Sequence, residues 1–291
     1  MNNTWSKYIQ GAKTLYYSRK LRFDDLFATQ YKELFDLDEK KKLKILEIGC
    51  GPGAFAGALH RWYPNAEITA IDRDGEFISF AQNHEKGIAF IEADATKLPF
   101  GNESFDVVIS NTVSEHIEPS AFYNEQFRVL KPNGVCLVLS SRRGITVRAA
   151  CLASNNHEQQ FWHKAEQYDD TLNKYAVGKF HMNEAELPSV MQKYGFKNVR
   201  TGYAIADLTP DNPKYSSEFA FGIINTERYS DIESIESVGY KMRGHFSSEE
   251  IDKMKRIVNA KYDERLNLYQ SGEKQWDTVV SVIMVIRGVK T

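Results

Sequence analysis

Cysteine is scarce in this 291-residue chain: Cys50, Cys136 and Cys151 are the three, with no CxxC pair among them. That spacing offers neither a disulfide framework nor a zinc ribbon. The first twenty residues, MNNTWSKYIQGAKTLYYSRK, lack a continuous apolar stretch, so no secretory leader is expected. The longest apolar-rich run, 279–286, is far too short to cross a bilayer as a helix. A soluble cytoplasmic protein with no membrane partner is the expectation. A net charge of −2 and a pI near 6.4 give no global pull toward nucleic acid. The basic run at 40–44, KKKLK, reads as a solvated lead-in to a buried strand. No internal repeat or low-complexity tract is present.

What remains is an ordinary globular composition, 42% hydrophobic and 26% charged. The length suits one large α/β domain with insertions, or a core with a small cap. From Lys44 onward, short β-rich runs alternate with helical patterns, the signature of a parallel sheet covered on both faces. Strands are expected at KILEIG, at 67–71 ending on Asp72, at 88–92, at FDVVIS and at VCLVLS. The near-continuous apolar character of FDVVIS suits a central strand. A helix at 54–63 has Phe55, Ala58, Leu59 and Trp62 on one face, and a later one runs over 184–194. The strand FKNVRTGYAIA follows, and 279–286 is the last. Three pieces fall outside the alternation. An N-terminal helical segment has the apolar stripe Leu26, Phe27, Tyr31, Leu34 and Phe35. Insertions cover about 142–180 and 209–277. In the second, Ser247 and Glu250 have capping-box spacing, ahead of a stripe of Ile251, Met254, Ile257, Val258 and Leu266.

The most informative stretch is LEIGCGPGAFA, residues 46–56. Gly49, Gly51 and Gly53 lie between a buried strand and a helix, where bare backbone can approach a ligand that any Cβ would exclude. A loop at the carboxyl end of the first strand places that ligand at the sheet's topological switch point. Asp72 ends the second strand, where a carboxylate can accept from both hydroxyls of a ribose. Asp94 ends the third, where it can accept from an adenine amino group. Glu47 sits inside a buried strand, a costly place for a charge unless it is paired; it either braces the loop or reaches a ligand's ammonium group.

Four segments in order, LEIGCGPGAFA, AIDRD, EADATKLPFGNESFDVVISNTVSEHIE and RVLKPNGVCLVLS, resemble the class I S-adenosylmethionine-dependent methyltransferases, close to the methyltransferase type 11 group of quinone-biosynthesis and small-metabolite enzymes. FHMNEAELPSVMQKYGFKNV resembles that family's last core helix and following strand. The match covers roughly 43–141 well and the C-terminal core loosely. It implies a Rossmann-like doubly wound α/β sheet, mostly parallel with an antiparallel last strand, carrying a helical N-terminal lid at 1–40 and α-rich insertions. The core with its cap would run over 41–291. The implied cofactor is S-adenosylmethionine, leaving as S-adenosylhomocysteine, with no metal. By the same resemblance Glu47, Gly49, Cys50, Gly51 and Gly53 face its methionine part, Asp72 holds the ribose, Asp94 and Ala95 meet the adenine with Arg73 beside it, and Asn111 approaches the amino-acid end.

Methyl transfer from a sulfonium is an in-line displacement in which the protein mainly supplies alignment. A base is needed only where the acceptor must lose a proton. His116 in SNTVSEHIEP is the candidate for that base, or else a residue that packs against the cofactor; Glu115 reads as a capping or surface carboxylate. In the N-terminal lid Tyr16 and Tyr17, with Arg19 and Arg22, offer aromatic walls and cationic donors. Trp162 is the corresponding candidate in the first insertion, where Tyr168, and in the second Tyr229 or Tyr240, could add walls. His157 and His163 make only a weak metal spacing. Ser110-Asn111-Thr112-Val113 is not the Asn-Pro-Pro-Tyr type of motif, and no Pro-Cys pair follows the fourth strand. A small-molecule acceptor, with N, O or C accepting, is the leading expectation, on a monomer or homodimer without nucleic acid. RNA or protein methylation and a non-catalytic S-adenosylmethionine-binding role are the alternatives. A nicotinamide enzyme also fits Gly49-x-Gly51-x-x-Ala54 loosely, but it leaves Asp94 and the LPF turn without a role and needs a pyrophosphate at the helix N-terminus.

Overall fold

The computed structural model describes residues 4–141, 147–150, 152, 154–169 and 171–291. Arg142, where the first insertion begins, and Cys151 lie outside them. Alternation of apolar residues along the strands sorts side chains to two faces. Ile45, Val107, Ile109 and Leu137 join one core cluster, while Leu46, Ile48, Val108 and Val138 join another. Both sets are buried because helices cover both faces.

The strands are β1 (Lys44–Ile48), β2 (Glu67–Asp72), β3 (Ala89–Glu92), β4 (Phe105–Asn111), β5 (Leu130–Ser141), β6 (Val147–Ala149), β7 (Lys197–Leu208) and β8 (Thr278–Val289). They form one sheet in the order β3-β2-β1-β4-β5-β8-β6, with β7 pairing on β8. The ladders from β3 through β5 are parallel. β8 runs antiparallel to β5, β6 and β7. This is the doubly wound sheet with an antiparallel last strand that the sequence implied. Strand order reverses between β1 and β4, which opens a crevice at their carboxyl ends.

One face carries Tyr31 and Phe35 of α3 (Ala28–Phe35), Phe55, Leu59 and Trp62 of α4 (Ala54–Trp62), and Ile78 and Ala81 of α5 (Gly75–His84). The other carries Phe122, Tyr123 and Val129 of α6 (Pro119–Val129) with Leu187 and Met191 of α9 (Glu186–Lys193). The N-terminal stripe is correct except at Leu26, which is 56% exposed. Residues 25–27 make a tight 3-10 turn capped by Asp24, not a continuous helix, so the spacing that would have turned Leu26 inward is lost.

Ahead of that turn lie α1 (Thr4–Tyr8) and α2 (Ala12–Arg22). The first insertion contributes β6, α7 (Asn156–Glu166) and α8 (Thr171–Lys174); the second contributes α10 (Ser217–Lys241) and α11 (Ser248–Ser271). α11 starts as its capping box foretells: the Ser247 hydroxyl accepts from the Glu250 N–H at 3.2 Å, and the Glu250 carboxylate accepts from the Ser247 N–H at 2.7 Å. Met254 and Val258 are buried with Ile251 and Ile257 beside them. Leu266 is only half-buried, and the buried neighbour is Arg265, whose guanidinium donates to Asp211 at 2.7 Å and Asp277 at 2.6 Å.

Candidate active site

The glycine loop leaves β1 at Ile48, paired with Ile71 on one side and Ser110 on the other. The next residues of all three strands, Gly49, Asp72 and Asn111, therefore meet at the crevice. Gly49 has φ +69°, and a Cβ there would lie 2.4 Å from Cγ2 of Val113. Only glycine lets the chain turn this closely under the 111–113 segment. Gly53, at φ +90°, caps α4 without a side chain. Asp72 accepts from the Gly51 N–H at 2.9 Å through one oxygen and from the Asp74 N–H at 2.9 Å through the other. Each oxygen retains a lone pair. Burial raises the Asp72 carboxyl above the usual aspartate range, with the two N–H donors pulling the other way.

Two buried acceptors at the strand ends have no hydrogen-bond partner: Oε2 of Glu47 and Oδ1 of Asn111. Glu47 is 1% exposed, and burial pushes its carboxyl up to about 8, against the opposing pull of Arg19. A pair of unsatisfied acceptors is expensive in an apolar setting, and it suits a cationic donor such as an ammonium group. Arg19 comes from α2, donating to the Asn111 carbonyl at 3.3 Å and to the Thr112 hydroxyl at 2.5 Å. Leu15, one turn earlier, lies 3.3 Å from where a Cβ on Gly51 would be. α2 thus lies across the glycine loop. α1 is fastened beside it, since the Ser6 N–H and hydroxyl both donate to Asp74 at 2.9 Å. Asp74 also caps α5 through the Glu76 N–H.

Asp94 is exposed and accepts from the N–H and hydroxyl of Thr96, each at 2.8 Å, with half-buried Ala95 beside it. The turn after it is clamped by Arg128, which donates to the carbonyls of Leu98 and Phe100 at 3.1 and 2.8 Å and pairs with Glu125. Arg73 is exposed, and Cys50 is buried in the loop, which raises its thiol well above the usual range. His116 lies in the 3-10 turn after β4. Its Nδ1 accepts from the Gly178 N–H at 3.0 Å, and the Trp5 ring stands edge-on at 4.6 Å. The Phe180 N–H donates to the Glu115 carbonyl, so residues 178–180 strap this turn from the first insertion. Neither the strap nor the reach of Arg19 has a signal in the sequence, since both are contacts across 60 or more positions.

The candidate acceptor residues are spread over several surroundings. Tyr16 is buried and donates to Glu85 at 2.8 Å; Tyr17 packs against Tyr229 of α10. Arg22 is half-buried near Tyr31, and partial desolvation lowers its guanidinium from the usual arginine range. Trp162 packs edge-on to Phe161 and lines a cavity of about 300 Å³ with Glu158, Arg148 and Tyr262, between the insertions. His157 and His163 are exposed, and among the described residues no group of His, Cys, Asp and Glu could hold a metal. No described helix is long and apolar enough to cross a membrane.

A family profile described as a methyltransferase domain matches residues 46–138. Over 103 residues the chain is 36% identical to a fatty-acid O-methyltransferase of Mycolicibacterium smegmatis, covering 34% of this chain and 37% of that one. A ubiquinone/menaquinone biosynthesis C-methyltransferase of Desulfotalea psychrophila is 32% identical over 101 residues, 34% of this chain and 41% of the relative. The chain spans little more than a third of the length of such relatives. Among solved structures, phosphoethanolamine N-methyltransferase 2 of Haemonchus contortus, in complex with S-adenosyl-L-methionine, aligns over 99% of this chain and 59% of its own. Its TM-score is 0.52 at 16% identity, a likeness of fold alone. The glycine loop, the acidic strand ends and the sheet order lie with this match, so residues 46–138 carry the features of a methyltransferase domain.

Proposed function

We propose that the protein transfers a methyl group from S-adenosylmethionine to a small molecule. The observation that carries this reading is the pair of buried, unpartnered acceptors on Glu47 and Asn111 beside a loop that tolerates no Cβ at Gly49. Those acceptors suit the ammonium of the cofactor's amino-acid end; a pyrophosphate, which needs donors, would be repelled there. Gly49, Cys50, Gly51 and Gly53 supply backbone around that end, and Arg19 brings the positive charge that a carboxylate requires. Asp72 keeps a lone pair on each oxygen for two ribose hydroxyls, and the clamped turn after Asp94 and Ala95 forms the adenine side, with Arg73 at its rim. When bound, the sulfonium supplies an activated methyl group.

His116 lies on the acceptor side. Because Nδ1 accepts from Gly178, the neutral ring presents its Nε2–H as a donor. Removing a proton from the acceptor requires the 178–180 strap to release Nδ1; orienting the acceptor does not. α1 and α2 serve as the lid that excludes water, and Tyr17 with Tyr229 continues that wall. The insertions form a cap. A cytoplasmic monomer or homodimer acting without nucleic acid completes the reading.

Calorimetry with S-adenosylhomocysteine tests it. Wild-type protein is expected to bind, and Asp72→Ala to lose about 1.5–3 kcal/mol, roughly 10- to 150-fold in Kd, with an unchanged circular dichroism spectrum. Absence of heat with the wild type, or full affinity in the variant, would overturn the cofactor assignment.

A further inference from the structure

A cavity of about 510 Å³ lies outside the cofactor crevice. Its walls are Tyr8 of α1, Tyr168, Asp169, Thr171, Lys174 and Tyr175 of the first insertion, and residues 240–243 at the end of α10. Tyr8 stacks on Tyr175 with ring centroids 5.0 Å apart, and Tyr240 lies 6.2 Å from Tyr8. Among the described residues three cations line it, Lys174, Lys241 and Arg243, against one acid, Asp169. Lys174 and Arg243 lie over the tyrosine rings at 5.5 and 5.2 Å. The ammonium of Lys241 has no carboxylate within ion-pair distance among the described residues. The acids that face it are Asp169 and Glu233, and both already accept backbone N–H bonds, from Thr171 at 2.9 Å and from Gly11 at 2.6 Å. Burial lowers the Lys241 ammonium from the usual lysine range, so it is a cation short of a counter-ion.

The elements that build this cavity also hold His116. Trp5, one helical turn before Tyr8, packs on the imidazole, and Gly178, three residues after Tyr175, donates to its Nδ1. α1 and residues 174–178 therefore link this cavity to His116.

Resting on the methyltransferase reading, we propose that this cavity receives an oxyanion of the methyl acceptor, a phosphate or a carboxylate, held by Lys241, Lys174 and Arg243 while the tyrosines enclose the adjoining carbon skeleton. The acceptor is thus an anionic small molecule whose nucleophilic atom lies at the opposite end from its charge. Surplus positive charge in an aromatic-walled hollow selects such a group by charge and by the phenol donors.

The test uses the full chain saturated with S-adenosylhomocysteine and titrated with inorganic phosphate in one arm and acetate in the other, followed by ¹⁵N chemical shifts. Saturable binding of at least one anion is expected, weakened about tenfold or more by Lys241→Gln and again by the exposed-site variant Arg243→Gln. Tighter phosphate binding assigns a phosphomonoester, and tighter acetate binding a carboxylate. Failure of both anions to saturate, or equal binding by the Lys241→Gln protein, overturns the proposal. The S-adenosylhomocysteine affinity of the same samples reports the cofactor reading separately and confirms that each variant is folded.

Discussion

Glu47 carries a charge problem that a ligand can solve. Its carboxyl, pushed up to about 8 by burial, is mostly protonated at pH 7. An ammonium group placed against Oε2 favours the ionised form, so binding should expel a proton. Calorimetry of S-adenosylhomocysteine binding at pH 7, in buffers of different ionisation enthalpy, should show release of about one proton in the wild type and almost none in Glu47→Gln. Equal release by both would remove Glu47 from the ammonium site. The same residue sets a pH trend in stability. Because its folded value is raised, the folded state holds the extra proton between about 4.5 and 8. The associated stability is complete below that window and is lost as pH rises through it. Glu47→Gln, which cannot ionise, should therefore gain on the wild type in urea unfolding between pH 5 and pH 8.

The helices α1 and α2 lie over the loop they would have to expose for a cofactor to enter. They are held by polar contacts, Ser6 to Asp74, Arg19 to Asn111 and Thr112, Tyr16 to Glu85 and Gly11 to Glu233, and by apolar packing of Ala12, Leu15 and Leu21. Elements at a chain's periphery can open locally without global unfolding. Amide exchange over residues 4–22 should slow on addition of S-adenosylhomocysteine, by tenfold or more if the helices close on it, about 1.4 kcal/mol; unchanged exchange would make them fixed packing and not a lid. Sequence pattern announced some elements and hid others for physical reasons. β1 to β4 were legible because each is a short apolar run stopped by a turn, and the acidic residues at the ends of β2 and β3 follow the same rhythm. α11 was legible through Ser247 and Glu250. α10 was not: it packs against both α2 and α11, so its 25 residues show no single apolar stripe. Trp162, a candidate wall of the acceptor pocket, lines the hollow between the insertions. The basic hollow near His116 draws on three separated segments, and no one of them looks unusual alone.

A buried ionic knot ties α11 to the segments flanking β7 and β8. Arg265 of α11, 2% exposed, bonds Asp211 after β7 and Asp277 before β8. Asp211 also accepts from the N–H groups of Gln275 and Trp276. Arg265→Met keeps the bulk but strands two carboxylates, and should cost about 3–5 kcal/mol in urea unfolding; a loss below 1 kcal/mol would show that water reaches the acids freely. Just beyond this knot begins β8, which pairs with β6 through residues 278–280, with β7 through 279–289 and with β5 through 283–289. β8 follows the other strands of this sheet in sequence and is inserted between strands made before it. Until it leaves the ribosome, β5 and β7 present bare edges to the cell. The growing chain must wait with an unfinished sheet, a stage at which chaperone capture or misjoined neighbours would compete with correct closure.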